Sequence, residues 1–577
     1  MNDLVIKKKE RTYLKSVFEI TWENLSPIFD ELAKRSIGSA TELEQWLRDR
    51  SELDALLEED FAWRYIRMTC NTADEALLNS FQYFATEIEP KVAPLNDQLN
   101  RKFIESPFLT ELDQSKYAIL IRGTKQALAL FREENIPLQT TIQVEQQKYQ
   151  GITGAMSVTL NGQEYTLEQA ATFLKDTNRE TRKNAWQSIS NRRLVEKDTL
   201  NDLFNTLRAL RHQVAQNANF DNFRDYMFAA LGRFDYTAED CFQFHEAIEK
   251  TVVPVLAKHA DARKKALALP SLQPWDMEVD TSGKPALKPF KDGAELIEKS
   301  ITCFGKLDPF LGDRLQAMKA NGLFDVESRK GKAPGGYNYP MMESGAPFVF
   351  MNATGSMEDL ETMMHEGGHA VHSFLVHPLR LNVYRQTPSE TAELASMSME
   401  LLSMAAYPHF FGNDEDKHGA CHEQIQRALG VLPWIACIDA FQHWMYTHPG
   451  HSRNERSKAW QNLLSQYTSP VVDWRGLEEW LDYQWQGQLH LFEMPFYYIE
   501  YGFAQIGALG VWRNSTTDPA KGLTAYREAL ALGNTVSINE VYRQAGVPFD
   551  ADHAYLEELA NWTLNKMQHH ENHLHRT

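Results

Sequence analysis

A chain of 577 residues is several times the nominal domain length of about 150, so it holds several lobes or one large fold. With 59 Lys and Arg against 78 Asp and Glu, its net charge is −19, and the lack of a basic excess argues against nucleic acid as a partner. Hydrophobic content of 43% and charged content of 24% exclude disordered, collagenous and disulfide-rich classes.

From the N-terminus, the opening MNDLVIKKKERTYL carries charge with no apolar run behind it, so no signal peptide is expected. Stretches 75–87 and 117–133 place apolar residues at three- and four-residue spacing, which predicts helices. At 157–166 Asn161-Gly162 stands between two short β-prone runs, a hairpin signal. Thr166 and Gln169 then form a capping-box pattern, so a helix follows at once. Helical spacing resumes at 195–216. Pro270, Pro274, Pro285 and Pro289 mark 269–290 as a long connecting loop. From 327 to 356 the chain reads as non-helical, with a tight turn at Pro334-Gly335-Gly336 and a short strand at 347–351. Ser356 with Asp359 opens the next helix as a capping-box variant.

That helix carries His-Glu-Gly-Gly-His at 365–369. His365 and His369 lie one turn apart on one face, so both imidazoles reach one metal ion. Glu366 stands at the edge of that face, within reach of a water on the metal. Neutral imidazole suits zinc, which lowers the pKa of such a water toward about 7. The composition yields at most roughly 0.08 chance matches to this pattern in the whole chain. Gly367 and Gly368 each cost a helix interior about 1 kcal/mol relative to Ala. Two adjacent violations indicate that something approaches this backbone closely. Glu361, one turn before His365, is placed to receive its second imidazole proton. His372 reads as a structural histidine.

A catalytic zinc site takes three protein ligands and keeps one open position. Downstream, Thr387 is expected as N-cap, Pro388 as the first helical residue and Glu390 as the partner in a capping box. Glu393, one turn on, has no such local duty and is the foremost candidate ligand. Glu400, two turns further, suits a supporting role. Spacing leaves all three glutamates open.

The stretch 428–438 is the longest apolar run, yet it contains Pro433 and falls short of the roughly 18 residues of a spanning helix. No membrane partner is expected. The five cysteines (Cys70, Cys241, Cys303, Cys421, Cys437) are scattered, with no C-x-x-C pair. That is the usage of a reducing compartment, so a cytoplasmic location is expected.

Attack of a metal-activated water on a carbonyl also needs donors for the oxygen that gains negative charge. The segment 490–501 offers His490, then Tyr497, Tyr498 and Tyr501, with Pro495 read as a helix start. Spacings of three and four put a phenol pair on one side in either register. An aromatic core stripe fits the same spacing. Beyond it 552–567 is again helical, and His569, His570, His573 and His575 read as a frayed helix end.

HEGGHAVH followed by AELASMSME resembles the oligoendopeptidase F branch of the thimet oligopeptidase/oligoendopeptidase F family of zinc metallopeptidases. RKGKAPGGY, PFVFMN and PFYYIEY look like the same branch, and the likeness covers roughly residues 200–565. It implies Glu393 as the third ligand beside His365 and His369, with one Zn2+ per chain. It implies Glu366 as catalytic base and His490, Tyr498 and Tyr501 as catalytic donors, with Tyr497 as contender because the His-to-Tyr spacing differs by about one residue. Gly367 departs from the family, where many relatives carry a bulkier residue.

The helical pattern predicts a mostly α fold. The resemblance adds a two-lobed helical clamshell around a deep substrate channel, with a small β element beside the zinc helix. Residues 1–195 are then an N-terminal helical lobe with a small hairpin, and 196–577 the zinc metallopeptidase catalytic domain. The expected function is zinc-dependent hydrolysis of internal peptide bonds in short unstructured oligopeptides. The strand at 347–351 is expected to pair with the substrate backbone. A zinc carboxypeptidase is the alternative, and it needs a cation for the substrate carboxylate. A catalytically inactive peptide-binding protein is disfavoured by the intact base and ligands. No G-x-S-x-G, P-loop or G-x-G-x-x-G pattern is present.

Overall fold

Apolar spacing becomes helix over most of the chain in the computed structural model, which describes residues 6, 11–15, 18–329, 331–549 and 552–574. The fold is mostly α, with two small sheets. Two hydrophobic cores form. The smaller gathers residues between Leu14 and Ile121 and is closed by Leu381 and Tyr384. The larger runs from Ala62 to Met567. One helix, Ala40–Cys70, serves both, giving Leu43, Trp46 and Leu53 to the first and Ala62 and Ile66 to the second. Trp46 is fully buried, and its indole N–H donates to the Leu32 carbonyl at 2.9 Å, which satisfies its one polar atom.

The hairpin forms as expected, from β1 (Ser157–Leu160) and β2 (Gln163–Thr166). Asn161 and Gly162 take φ of 53° and 81°, the left-handed pair a two-residue turn requires. Thr166 and Gln169 close the capping box that starts the next helix.

The second sheet combines β3 (Phe324–Glu327), β4 (Tyr337–Tyr339) and β5 (Phe348–Ala353) in the order β3-β5-β4. β5 is the strand expected at 347–351, and it is central: parallel to β3 on one side, antiparallel to β4 on the other. Its backbone is therefore committed to neighbours, which removes it as a substrate-pairing edge. The edge beside the site is β4. Tyr337 stacks on Phe350 with centroids 4.6 Å apart and shares a hydrogen bond of 2.6 Å with Thr69, tying the sheet to helix Ala40–Cys70.

The C-terminal helix, His553–Leu574, is not frayed at His569, His570 and His573. It packs along helix Asp414–Thr447 and brings His570 Nδ1 to 2.8 Å from His418 Nδ1. His575 lies outside the described residues. All five cysteines are free, four of them buried. Among the described residues no helix is long and apolar enough to cross a membrane.

Candidate metal centre

β5 feeds directly into helix Met357–Val376, whose start is fixed by the reciprocal bonds of Ser356 and Asp359. Met357, Leu360, Met363 and Met364 bury one face, leaving His365 and His369 as neighbours on another, with ring centroids 4.8 Å apart. The two glycines do what their cost implied. A Cβ on Gly367 would lie 2.5 Å from the Phe304 ring tip, and one on Gly368 would lie 2.7 Å from Ser396 Cα and 2.8 Å from the Ala395 carbonyl oxygen. Helix Ser389–Leu402 therefore packs backbone to backbone against the motif helix.

That approach brings Glu393 to the histidines. Its Oε2 lies 3.3 Å from His365 Nε2 and 3.6 Å from His369 Nε2. One ligand atom from each of the three falls within 4.8 Å of the other two. Ser396 Oγ donates to Glu393 Oε2 at 2.9 Å, and the Tyr497 hydroxyl donates to Oε1 at 2.6 Å. Two imidazoles around one carboxylate form a donor set suited to zinc.

The other glutamates have different partners. Glu400 lies with Oε1 2.7 Å from His365 Nδ1 and with Oε2 accepting from Gln424 at 3.0 Å. It takes the second imidazole proton, the role expected of Glu361. Glu361 instead pairs with Arg427, and burial pushes its carboxyl up to about 8. The capping box at 387–390 does not form. Pro388 (φ −53°, ψ 144°) is itself the N-cap, so Glu390 falls too early to close the box. Glu390 is buried and accepts from the Tyr236 hydroxyl at 2.6 Å.

The charges are arranged asymmetrically. Burial opposes the Glu393 charge, but His369 and His365 outweigh it and hold the carboxyl down at about 2. Burial also disfavours the His365 imidazolium, yet the bonds to Glu393 and Glu400 raise it well above the ordinary range. Burial lowers His369 to about 4. Glu366 is 6% exposed, burial pushes it up to about 7, and its Oε2 has no hydrogen-bond partner. A buried carboxyl group with an unpaired oxygen beside the His365, His369 and Glu393 trio is suited to proton transfer near neutral pH. His372 is buried and lies outside the trio.

Pro495 does not start a helix. Phe496 takes a φ of 67°, donating its N–H to Gln442 Oε1 at 2.6 Å and accepting from Arg233 through its carbonyl. The helix begins only after it, with Tyr497 as N-cap and Tyr498–Thr517 as its body. His490 comes from the preceding short helix, Leu489–Glu493. Its ring centroid lies 5.7, 5.1 and 5.6 Å from those of Tyr497, Tyr498 and Tyr501. The Tyr501 hydroxyl is 3.3 Å from His490 Nε2, and Trp434 and Gln488 lie near the Tyr498 hydroxyl.

A short relay sets the His490 proton. The Trp434 indole N–H can only donate, and it meets Gln488 Oε1 at 2.9 Å. The amide nitrogen of Gln488 then donates to His490 Nδ1 at 2.8 Å. Burial lowers His490 to about 4, so the ring is neutral and its proton sits on Nε2, toward Tyr501. Neither Gln488 nor Trp434 carries a sequence motif, and Glu400 is 35 positions from its histidine. Those partners become visible only in three dimensions.

A cavity of about 270 Å³ opens beside His369, lined by Asn338, Met341, Arg385, Gln386 and Tyr497 among others. The edge strand β4 borders Glu366, to whose carbonyl Asn338 Nδ2 donates at 3.4 Å.

The family model for the peptidase M3 N-terminal domain matches residues 17–131, and that for peptidase family M3 matches residues 172–561. An oligoendopeptidase F homolog of Lactococcus lactis is 24% identical over 387 residues, which is 66% of this chain and 62% of that protein. The chain thus spans less than two thirds of that relative's length. An oligoendopeptidase F homolog of Borreliella burgdorferi is 23% identical over 93% of this chain and 89% of its own. The solved structure of PZ peptidase A with inhibitor 2 superposes with a TM-score of 0.89 at 26% identity, covering 96% of this chain and all of that one. An oligoendopeptidase F from Enterococcus faecium, at 14% identity and a TM-score of 0.64, covers 96% of this chain and 98% of its own, and shares the fold.

Proposed function

This chain belongs to peptidase family M3, in its oligoendopeptidase F branch, and from that premise we propose a zinc-dependent endopeptidase acting on short unstructured oligopeptides. The observation that carries the reading is the trio His365, His369 and Glu393 with the idle carboxylate of Glu366 beside it. These three residues would hold one zinc ion. Bound there, it would supply Lewis acidity for the scissile carbonyl and acidify the attacking water. Glu366 takes the water's proton and hands it to the leaving amine. His490 Nε2–H and the Tyr501 hydroxyl donate to the developing oxyanion. Tyr497 steadies Glu393, and Tyr498 backs the Trp434–Gln488 relay that aims His490.

Backbone pairing falls to β4, the edge strand whose Asn338 reaches the Glu366 carbonyl, so substrates are held without demand for particular side chains. In this division, residues 196–577 carry the catalytic set and 1–195 complete the channel wall. Tyr149 of the N-terminal segment bonds the Gln486 carbonyl and stacks on Phe492, beside His490. The carboxypeptidase alternative needs a free cation near the metal. Arg385, which lines the cavity, donates instead to the Leu379 and Met342 carbonyls at 3.0 and 2.6 Å. The free thiols fit a reducing cytoplasm.

Metal analysis of Glu393→Ala, Glu390→Ala and Glu400→Ala tests the ligand set. Glu393→Ala alone is expected to bind one ion fewer than wild type and to lose peptide cleavage. Full metal content in Glu393→Ala would overturn the assignment.

A further inference from the structure

Cys241 and His245 lie one turn apart on helix Ala238–Ala266, and Asp439 and His443 lie one turn apart on helix Asp414–Thr447. The two helices pack together, and the four side chains meet at 0, 6, 0 and 4% exposure respectively. One ligand atom from each of Cys241, Asp439 and His443 lies within 4.8 Å of the other two. Among the described residues, only the trio His365, His369 and Glu393 shares that property.

The hydrogen bonding is incomplete in a telling way. His245 Nε2 holds Asp439 Oδ2 at 2.9 Å, while Asp439 Oδ1 has no partner. His443 is packed against Phe242 and Phe496, and its Nδ1 has no hydrogen-bond partner. Its Nε2 stands 3.2 Å from Asp439 Oδ2, as close as His365 stands to Glu393. Buried polar atoms are nearly always paired. An imidazole whose one polar contact is that carboxylate, an unpaired carboxylate oxygen and a thiol converge in the core.

We propose that Cys241, Asp439 and His443 form a second metal site, structural in role, for a divalent transition ion such as zinc. His245 is the positioning residue that aims Asp439. Sulfur and imidazole donors select such an ion over calcium or magnesium. On binding, the thiol proton leaves to solvent, and thiolate plus carboxylate cancel the ion's two charges, as full burial demands. The expectation of one zinc per chain counts only the first centre. The second ion would brace the helix on which the active segment rests. Gln442, next to His443, accepts the Phe496 N–H, and Phe496 leads directly into Tyr497.

The 577-residue chain produced in cobalt-supplemented minimal medium tests this. Two cobalt ions per chain are expected, with a near-ultraviolet thiolate-to-cobalt charge-transfer band. No ligand of the first centre is a thiol, so the band reports the second site alone. Cys241→Ser is expected to lose the band and one ion, and Asp439→Asn to lower occupancy. His245→Gln is expected to weaken binding about 10- to 100-fold, as for other groups that orient a metal ligand. His365→Ala, which removes a ligand of the first centre, is expected to keep the band, so the two sites fail separately. Wild-type protein with one ion per chain and no band would overturn the proposal, whatever the variants do. A band that survives in Cys241→Ser would overturn it equally.

Discussion

Replacing Gly368 with Ala tests how the first metal centre is assembled. The added Cβ would stand 2.7 Å from Ser396 Cα and 2.8 Å from the Ala395 carbonyl oxygen. Ordinary carbon contacts lie at about 3.5–4.0 Å, so helix Ser389–Leu402 must recede by roughly 1 Å. Both obstacles are backbone and cannot rotate aside. Glu393 rides on the same helix, and a shift of that size exceeds the tolerance of about 0.2 Å on metal–ligand distances. Overpacking costs about 1–3 kcal/mol, and the gain in helix propensity returns about 1 kcal/mol. The expected outcome is a modest loss of stability, about 0–2 kcal/mol, with at least a roughly tenfold loss of metal affinity. Gly367→Ala is the comparison: its Cβ meets the buried Phe304 ring and not the helix that carries Glu393, so it is expected to cost stability with a smaller loss of metal affinity. Chelator competition measures affinity, and thermal unfolding measures stability. A Gly368→Ala protein that binds metal as tightly as wild type at unchanged Tm would refute the helix-approach argument.

Tyr501→Phe is expected to lower kcat by roughly 10²- to 10³-fold with little change in KM, and Tyr498→Phe by only about tenfold. Steady-state kinetics giving the reverse order would exchange their roles. Trp434→Phe removes the donor that fixes the Gln488 amide, so kcat should fall about tenfold while the His490 proton becomes shared between its two nitrogens, which nitrogen NMR reads directly. Burial pushes Glu58 up to about 7 although Asn382 and Gln386 donate to it. Its folded value lies above its unfolded one, so the neutral acid contributes stability that is complete below about pH 4 and lost as pH rises through 7. Glu58→Gln should therefore raise Tm at pH 8, by the equivalent of about 1–3 kcal/mol, and leave it unchanged at pH 4. Equal Tm values at pH 8 would contradict this.

What sequence could reveal followed the range of the interactions. Local rules placed the hairpin at Asn161-Gly162, the caps at Thr166 and Ser356, and the two histidines one turn apart. The adjacent glycines announced a close approach, though not that Ser396 supplies it. Local rules failed where a distant partner won. Glu390 was read as a helix cap because Thr387 and Pro388 precede it, but the Tyr236 hydroxyl holds it elsewhere. Glu361 looked like the partner of His365 because it lies on the same helix, while Glu400 and Arg427 arrive from other helices. Pro495 looked like a helix start, and the positive φ of Phe496, held by Gln442 and Arg233, delays it. The strand at 347–351 was legible as a strand, but its place in the middle of the sheet depends on β3 and β4. Cys241 and Asp439 carry no signal until two helices bring them together.

The central claim is that Glu366 acts as base beside a metal held by His365, His369 and Glu393, to cleave internal bonds. The most direct measurement is mass spectrometry of an oligopeptide blocked at both ends, incubated in oxygen-18 water with wild-type protein, chelator-treated protein and Glu366→Gln. The account predicts internal cleavage by wild type, with one heavy oxygen in each new carboxylate. It predicts no cleavage after chelation, and a near-complete loss in Glu366→Gln although that variant keeps its metal. Cleavage by Glu366→Gln at near wild-type rate, or no attack on the blocked peptide by metal-loaded wild type, would contradict it.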